Sequence, residues 1–232
     1  MHIFLTGGTG FVGSHFLSLA LKKNHIIKAL KRCERSSSKI QLKGNPEWII
    51  KSLSDIDIRD LKDCDILIHL AAHSANVPYD SLENCLKTNV FDTLNLFNSA
   101  YEAGIRKFLV TGSSHEYGKK GEEYEFIPPD AALFPTQSYP TSKAAASIVL
   151  TQWALSKNVS LKILRLFQVF GEGELESRLW PSIIRKAENG DNLKMTLGEQ
   201  IRDFINVKDV AKIILTESLK LQSNKISINY HF

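Results

Sequence analysis

The chain has 232 residues, with 29 Lys and Arg against 25 Asp and Glu, for a formal charge of +4 with His neutral. Its 43% hydrophobic and 23% charged residues and mean hydropathy of -0.13 are those of an ordinary globular protein, which excludes disorder, collagen-like repeats and coiled coil as the main architecture. The positive excess is too small and too scattered to imply nucleic acid. Cys33, Cys64 and Cys85 lie far apart with no CxxC pair, so neither a disulfide framework nor a metal site is indicated and a reducing compartment fits. The N-terminal apolar run is too short for a signal peptide, and no later stretch is an uninterrupted span of about 18 apolar residues. These features predict a cytoplasmic protein without membrane contact.

In chain order, strands are predicted over residues 2–6, 26–30, 65–70, 107–111 and 161–166. The first is followed by a helix over 11–23, where Phe11, Val12, Phe16, Leu19 and Ala20 line one face. A second helix over 81–103 ends at Gly104, a good C-cap, and a third runs over 139–157. Strands alternating with helices of this length give an α/β fold with a parallel sheet covered on both faces. Residues 114–138, with Gly118, Gly121, Pro128, Pro129 and Pro135, read as one long loop of functional character. After Gly171 the pattern loses regularity. The expected division is a dinucleotide-binding domain over 1–170 and a partial substrate-binding lobe over 171–232, from which the chain crosses back to the main sheet.

The first strand runs directly into Thr6-Gly7-Gly8-Thr9-Gly10-Phe11-Val12-Gly13, where a helix begins. Gly7 suits a tight turn, Gly10 lets a pyrophosphate approach the backbone, and Gly13 permits close packing of helix and strand. A glycine triplet in that context predicts a doubly wound, Rossmann-like sheet that binds a dinucleotide. At the end of the second strand, where an acid would accept hydrogen bonds from the ribose of NAD, the chain carries Lys31 and Arg32. This pair favours NADP over NAD, although solvated surface residues would look the same.

Tyr139 and Lys143 stand four residues apart on a predicted helix, so they share a face. An ammonium beside a phenol lowers its pKa, which would let Tyr139 exchange a proton near neutral pH. With the glycine turn and Ser113, this pair makes the chain resemble the extended short-chain dehydrogenase/reductases, the nucleotide-sugar epimerase, dehydratase and reductase family. Leu70-Ala71-Ala72-His73, Asn89, Arg165-Leu166-Phe167-Gln168 and residues 202–211 extend the match over nearly the whole chain. The resemblance implies that Ser113 bonds the reacting oxygen, Tyr139 is the general acid or base, and Lys143 tunes Tyr139 and holds the cofactor ribose. It further implies that Leu70, Ala71 and Ala72 line the nicotinamide ribose and that Asn89 supports the site. His73, His115 and Gln168 would face the substrate, Arg202 and Arg178 would grip the diphosphate of a nucleoside-diphosphate sugar, and two copies would pair through the helices over 81–103 and 139–157.

Three departures from the family pattern stand out. Ser52-Leu53 replaces an Asp-containing pair beside the adenine, Gln168 replaces an Asn, and the chain stops soon after a predicted strand over 226–229, so the substrate lobe looks truncated. The dehydratases of this family carry Thr-Asp-Glu where this chain has Ser113-Ser114-His115, and Glu116 falls one residue late, so its side chain should point elsewhere. Reduction of a C4 keto group on a 4-keto-6-deoxy sugar is the expected reaction, with 4-epimerisation using tightly bound NAD as the alternative. His115 stands where members that both epimerise and reduce have an acid/base cysteine, though a plain loop histidine fits as well. A non-catalytic dinucleotide sensor on the same fold is the reading from another class.

Overall fold

In the computed structural model, which describes residues 1–195 and 197–222, short apolar runs buried on both faces form the central layer. In β1 (His2–Thr6), Ile3 and Leu5 face one side of the sheet and Phe4 the other, and all three are fully buried. The other strands are β2 (Ile26–Lys31), β3 (Glu47–Ile50), β4 (Ile66–His69), β5 (Lys107–Ser113) and β6 (Ser160–Leu166). They form one parallel sheet in the order β3-β2-β1-β4-β5-β6. The short strand β3 has no counterpart among the predicted elements. The predicted strand over 226–229 lies outside the described residues.

Ile3 and Leu5 pack with Phe16, Leu17 and Ala20 of α1 (Phe11–Lys22) and with Val210, Ala211 and Ile214 of α7 (Val207–Lys220). On the opposite face Phe4, Leu67 and Phe108 meet Leu96 and Phe97 of α4 (Thr93–Glu102) and Leu150 and Trp153 of α5 (Ser138–Lys157). Phe97, Phe108 and Trp153 form an aromatic triplet there, with Phe108 5.0 Å from each of the other two rings. The sheet is therefore doubly wound, as the sequence predicts. A four-residue helix, α2 (Ile58–Leu61), lies between β3 and β4.

The helix predicted over 81–103 is continuous but not uniform. It opens as α3 (Leu82–Leu86), widens into π-helical turns over Lys87–Asp92, and resumes as α4. Such a widening shifts the side chains out of ordinary helical register, and here it falls at Asn89. Beyond β6, β7 (Gln168–Phe170) pairs in parallel with β8 (Phe204–Asn206), and α6 (Leu179–Asn189) between them buries no residue. The buried ion pair of Lys162 and Glu217 joins β6 to α7. No helix among the described residues is long and apolar enough to cross a membrane.

Candidate active site

Strand order reverses between β1 and β4, so a crevice opens where these two strands end, the usual place for a ligand in an open α/β sheet. The Thr6 hydroxyl and His69 Nδ1 are hydrogen-bonded there at 2.8 Å. The glycine turn follows. Gly7 has φ +77°, and a Cβ on it would lie 2.6 Å from the Ala71 nitrogen. A Cβ on Gly13 would sit 1.9 Å from the Gly7 carbonyl oxygen, so the close packing expected of Gly13 is made against the turn itself rather than the strand. At Gly10 a Cβ would meet only that carbonyl, at 3.2 Å, and would otherwise fill open space over the start of α1. No side chain caps this helix, and Phe11 and Val12 turn their side chains to the core. What Phe11, Val12 and Gly13 offer to the crevice is backbone N–H groups, a ready cradle for a phosphate.

Toward the β2 edge the cationic pair divides. Lys31 Nζ lies 5.4 Å from the centre of the Trp48 ring and donates to the Glu34 carbonyl at 3.4 Å, whereas Arg32 is exposed. Ser52 is exposed at the start of a short turn, and Leu53 packs against the core. Leu70, Ala71 and Ala72 leave β4 partly open to solvent.

The other half of the crevice is built from buried side chains. Ser113 ends β5, and Tyr139 and Lys143 stand on the first turns of α5, with exposures of 7, 8 and 4%. Lys143 Nζ donates to the Thr111 carbonyl at 2.8 Å. Burial holds this ammonium below its ordinary pKa, with the Glu116 carboxylate acting against that shift. Against the expectation from spacing that Lys143 lowers the Tyr139 phenol, the largest influence on it is burial, which acts in the opposite direction. Burial pushes the phenol well above its usual range, and the Glu116 and Tyr79 side chains push it further; Arg178 and the Ser113 hydroxyl act the other way.

Glu116 is fully buried, its carboxylate turned inward. It accepts from Ser113 N–H at 2.7 Å, from Ser147 Oγ at 2.8 Å and from Arg165 Nε at 2.8 Å. Arg165 also reaches the Tyr117 hydroxyl and the Pro129 carbonyl, which ties the loop over 114–137 to β6. Asn89 spans two elements, since its Oδ1 accepts from His73 N–H at 2.7 Å while its Nδ2 donates to the His73 carbonyl and to Ser142 Oγ.

On the open side, Arg178 donates to Gln168 at 3.1 Å and to Asn76 at 3.2 Å and pairs with Glu174 at 3.1 Å. Burial holds His115 below its ordinary pKa, and the charges of Arg202 and Arg178 push it the same way, so Arg178, Arg202 and His115 share one electropositive neighbourhood. Arg202 is exposed and bonds Gln200. His73 is bonded to Asp80 at 2.7 Å. Thus Ser113, Tyr139 and Lys143 come together at the ends of β5 and α5, and Gln168, Arg178, Arg202 and His115 gather on the open side, while Lys31, Arg32, Ser52 and Leu53 lie at the far edge.

Sequence reasoning missed the support beneath the centre, formed by Glu116, Arg165, Ser142 and Ser147. The spacing of Ser113 and Glu116 carried a usable signal, because Ser-x-x-Glu is a capping box and the two residues form one here. Among the described residues no group of three or more His, Cys, Asp or Glu could hold a metal ion.

Known proteins match this chain over almost its whole length. A low-salt glycan biosynthesis protein of Haloferax volcanii is 28% identical over 221 residues, covering 90% of this chain and 70% of its own. The CDP-abequose synthase of Salmonella typhimurium is 30% identical over 220 residues, covering 93% of this chain and 69% of its own. Among solved structures, a UDP-N-acetylglucosamine 4-epimerase from Methanobrevibacter ruminantium, in complex with UDP-N-acetylmuramic acid, superposes with a TM-score of 0.86 at 26% identity, over 98% of this chain and 76% of that one. With residues 3–229 matching its family model, the chain belongs to the NAD dependent epimerase/dehydratase family.

Proposed function

We propose that this protein modifies a nucleoside-diphosphate sugar with a nicotinamide cofactor, reducing the C4 keto group of a 4-keto-6-deoxy sugar. The observation that carries this reading is a buried Tyr139 beside Ser113 and Lys143, with the Glu116 carboxylate fully engaged beneath them. A ketone receiving a hydride develops an alkoxide, a stronger base than phenolate, so a phenol held in the acid form protonates it downhill. Ser113 stabilises the developing negative charge, and Lys143 holds positive charge close by at no cost in reorganisation. Elimination of water would need a carboxylate facing the sugar. Glu116, held by three donors, is not available for it.

The residues fit a dinucleotide, since the Gly10 cradle leaves open the space a Cβ would fill and the first turn of α1 presents its N–H groups. The turn from Gly7 to Gly13 would hold the pyrophosphate, with Leu70, Ala71, Ala72 and Lys143 around the nicotinamide ribose. When reduced, that cofactor supplies the hydride. Arg178 and Arg202 would hold the sugar diphosphate through charge-assisted bonds, with Gln168, His73 and His115 around the sugar. Arg32, exposed at the end of β2, supports NADP. The engagement of Lys31 with Trp48 and Glu34 supports a second reading, a 4-epimerase with tightly held NAD. Exposed Phe91, Ile148 and Leu155 on the two long helices support a homodimer.

The test is titration with NADPH and NADH, followed by a nucleotide-linked 4-keto-6-deoxy sugar and the absorbance of the nicotinamide band. Loss of reduced cofactor, cut roughly 10²–10⁴-fold in kcat by Tyr139→Phe, is the expected result. Interconversion of 4-hydroxy sugars without net oxidation would replace reduction by epimerisation. Cofactor binding with neither reaction would leave a dinucleotide sensor.

A further inference from the structure

The strap over residues 73–80, between β4 and α3, is tied down far more than a connecting loop requires. His73 Nε2 donates to Asp80 Oδ2 at 2.7 Å, and Asp80 N–H donates to Ser74 Oγ at 2.7 Å, closing the strap on itself. Ser81 N–H and Asn84 Nδ2 donate to the other carboxylate oxygen of Asp80, and Ser138 Oγ donates to the Asp80 carbonyl at 2.6 Å. The Asn89 carboxamide grips the His73 backbone from below, and Arg178 reaches Asn76 from the C-terminal side. The result is a fixed place for Tyr79. Its ring lies 5.3 Å from that of Tyr139 at an interplanar angle of 32°, and Tyr79 belongs to neither apolar core cluster.

A strap with this many anchors that fills no core has its ring partner as its evident product. We propose that Tyr79 is a positioning residue for Tyr139: stapled by His73 and Asp80, it covers the Tyr139 ring, excludes water from it and holds it in the rotamer that meets Ser113. The proposal rests on the reading of Tyr139 as the proton donor. Tyr79 is itself desolvated and acts to raise Tyr139, in keeping with a cover that keeps the phenol dry. An aromatic pair adds modestly to area burial, so the expected kinetic effect is modest and falls on kcat rather than on KM.

The test uses protein labelled with carbon-13 at the tyrosine ring carbon that bears the hydroxyl. The Tyr139 resonance is identified by its loss in Tyr139→Phe. In the wild type it should hold its protonated position through the alkaline range in which exposed tyrosines titrate. In Tyr79→Ala it should move and begin to titrate with them, and kcat should fall roughly three- to tenfold with KM nearly unchanged. Tyr79→Phe, which keeps the ring, should restore both the resonance and most of kcat. Asp80→Asn, which weakens the staple without touching either ring, should shift the resonance in the same direction and serves if Tyr79→Ala does not fold. An unmoved Tyr139 resonance in Tyr79→Ala or Asp80→Asn would overturn the proposal. The resonance needs no turnover, so the two readings fail separately. Full activity of Tyr139→Phe would remove the catalytic reading alone, and an unmoved resonance with inactive Tyr139→Phe would remove the positioning role alone.

Discussion

The two halves of the crevice are built by opposite means. Around Gly7, Gly10 and Gly13 the site is made by leaving side chains out, so that backbone closes on backbone and N–H groups face outward. Around Ser113, Tyr139 and Lys143 it is made by burying polar side chains among paired groups, Lys143 with the Thr111 carbonyl, Glu116 with Ser113 N–H and Arg165, and Asn89 with Ser142. The first half works through shape, and a local stretch of sequence specifies it. The second works through charge held out of water, which only contacts remote in sequence can balance.

The comparison predicts where single changes hurt most. The largest expected loss is from Glu116→Ala, because it strands the Arg165 guanidinium, 3% exposed, without its carboxylate and removes the acceptor of Ser113 N–H. A buried pair broken on one side costs about 3–5 kcal/mol, read as a drop in the urea midpoint at constant slope. A loss below about 1 kcal/mol would mean that this half is not held by its charges. Gly13→Ala tests the other half. A methyl 1.9 Å from a carbonyl oxygen must push helix and turn apart, at about 1–3 kcal/mol, and should abolish dinucleotide binding while the fold survives. Retained binding would show that the cradle tolerates a side chain.

What could be read in the sequence follows the same line. The glycine turn, the five predicted strands and the spacing of Tyr139 and Lys143 are local patterns, and their elements stand where they were expected. The strand β3 was missed because Glu47-Trp48-Ile49-Ile50 is too short to show alternation. The π-helical widening at Asn89 leaves no mark in a count of apolar positions. Spacing shows that an ammonium stands near Tyr139 but not that the phenol is buried, and burial sets the direction of its shift. Glu116 and Arg165 are 49 positions apart, and nothing in either segment announces the other.

His69 sits at the junction of the two halves, bonded to Thr6 and Thr93, and burial holds its pKa down to about 3 against an ordinary 6.5. Between those values the unfolded chain takes up a proton that the folded chain refuses. Stability from this residue is therefore present above about pH 6.5, is lost progressively as pH falls, and changes by at most about 1.4 kcal/mol per pH unit. His25 and His115 are lowered too and add to the same slope. The contribution of His69 is isolated by urea unfolding at pH 7 and pH 5 in the wild type and in His69→Gln. The variant should lose close to one proton of the acid dependence, and an unchanged slope would mean that His69 is already protonated in the fold.

The smallest expected effect lies at the rim of the first half, where solvent weakens every charge. Arg32 is exposed at the end of β2, and Lys31 beside it is occupied by Trp48 and the Glu34 carbonyl. An extra phosphate on the adenine ribose would meet Arg32 in water, where such a contact contributes little more than a surface ion pair. Arg32→Ala should weaken NADPH roughly three- to tenfold and leave NADH unchanged, with the difference shrinking as salt is added. Lys31→Ala should do less, because its ammonium already has partners. Equal weakening of both cofactors by Arg32→Ala would mean that the residue shapes the loop rather than recognises a phosphate, and the NAD-retaining epimerase reading would then gain ground over NADPH-dependent reduction.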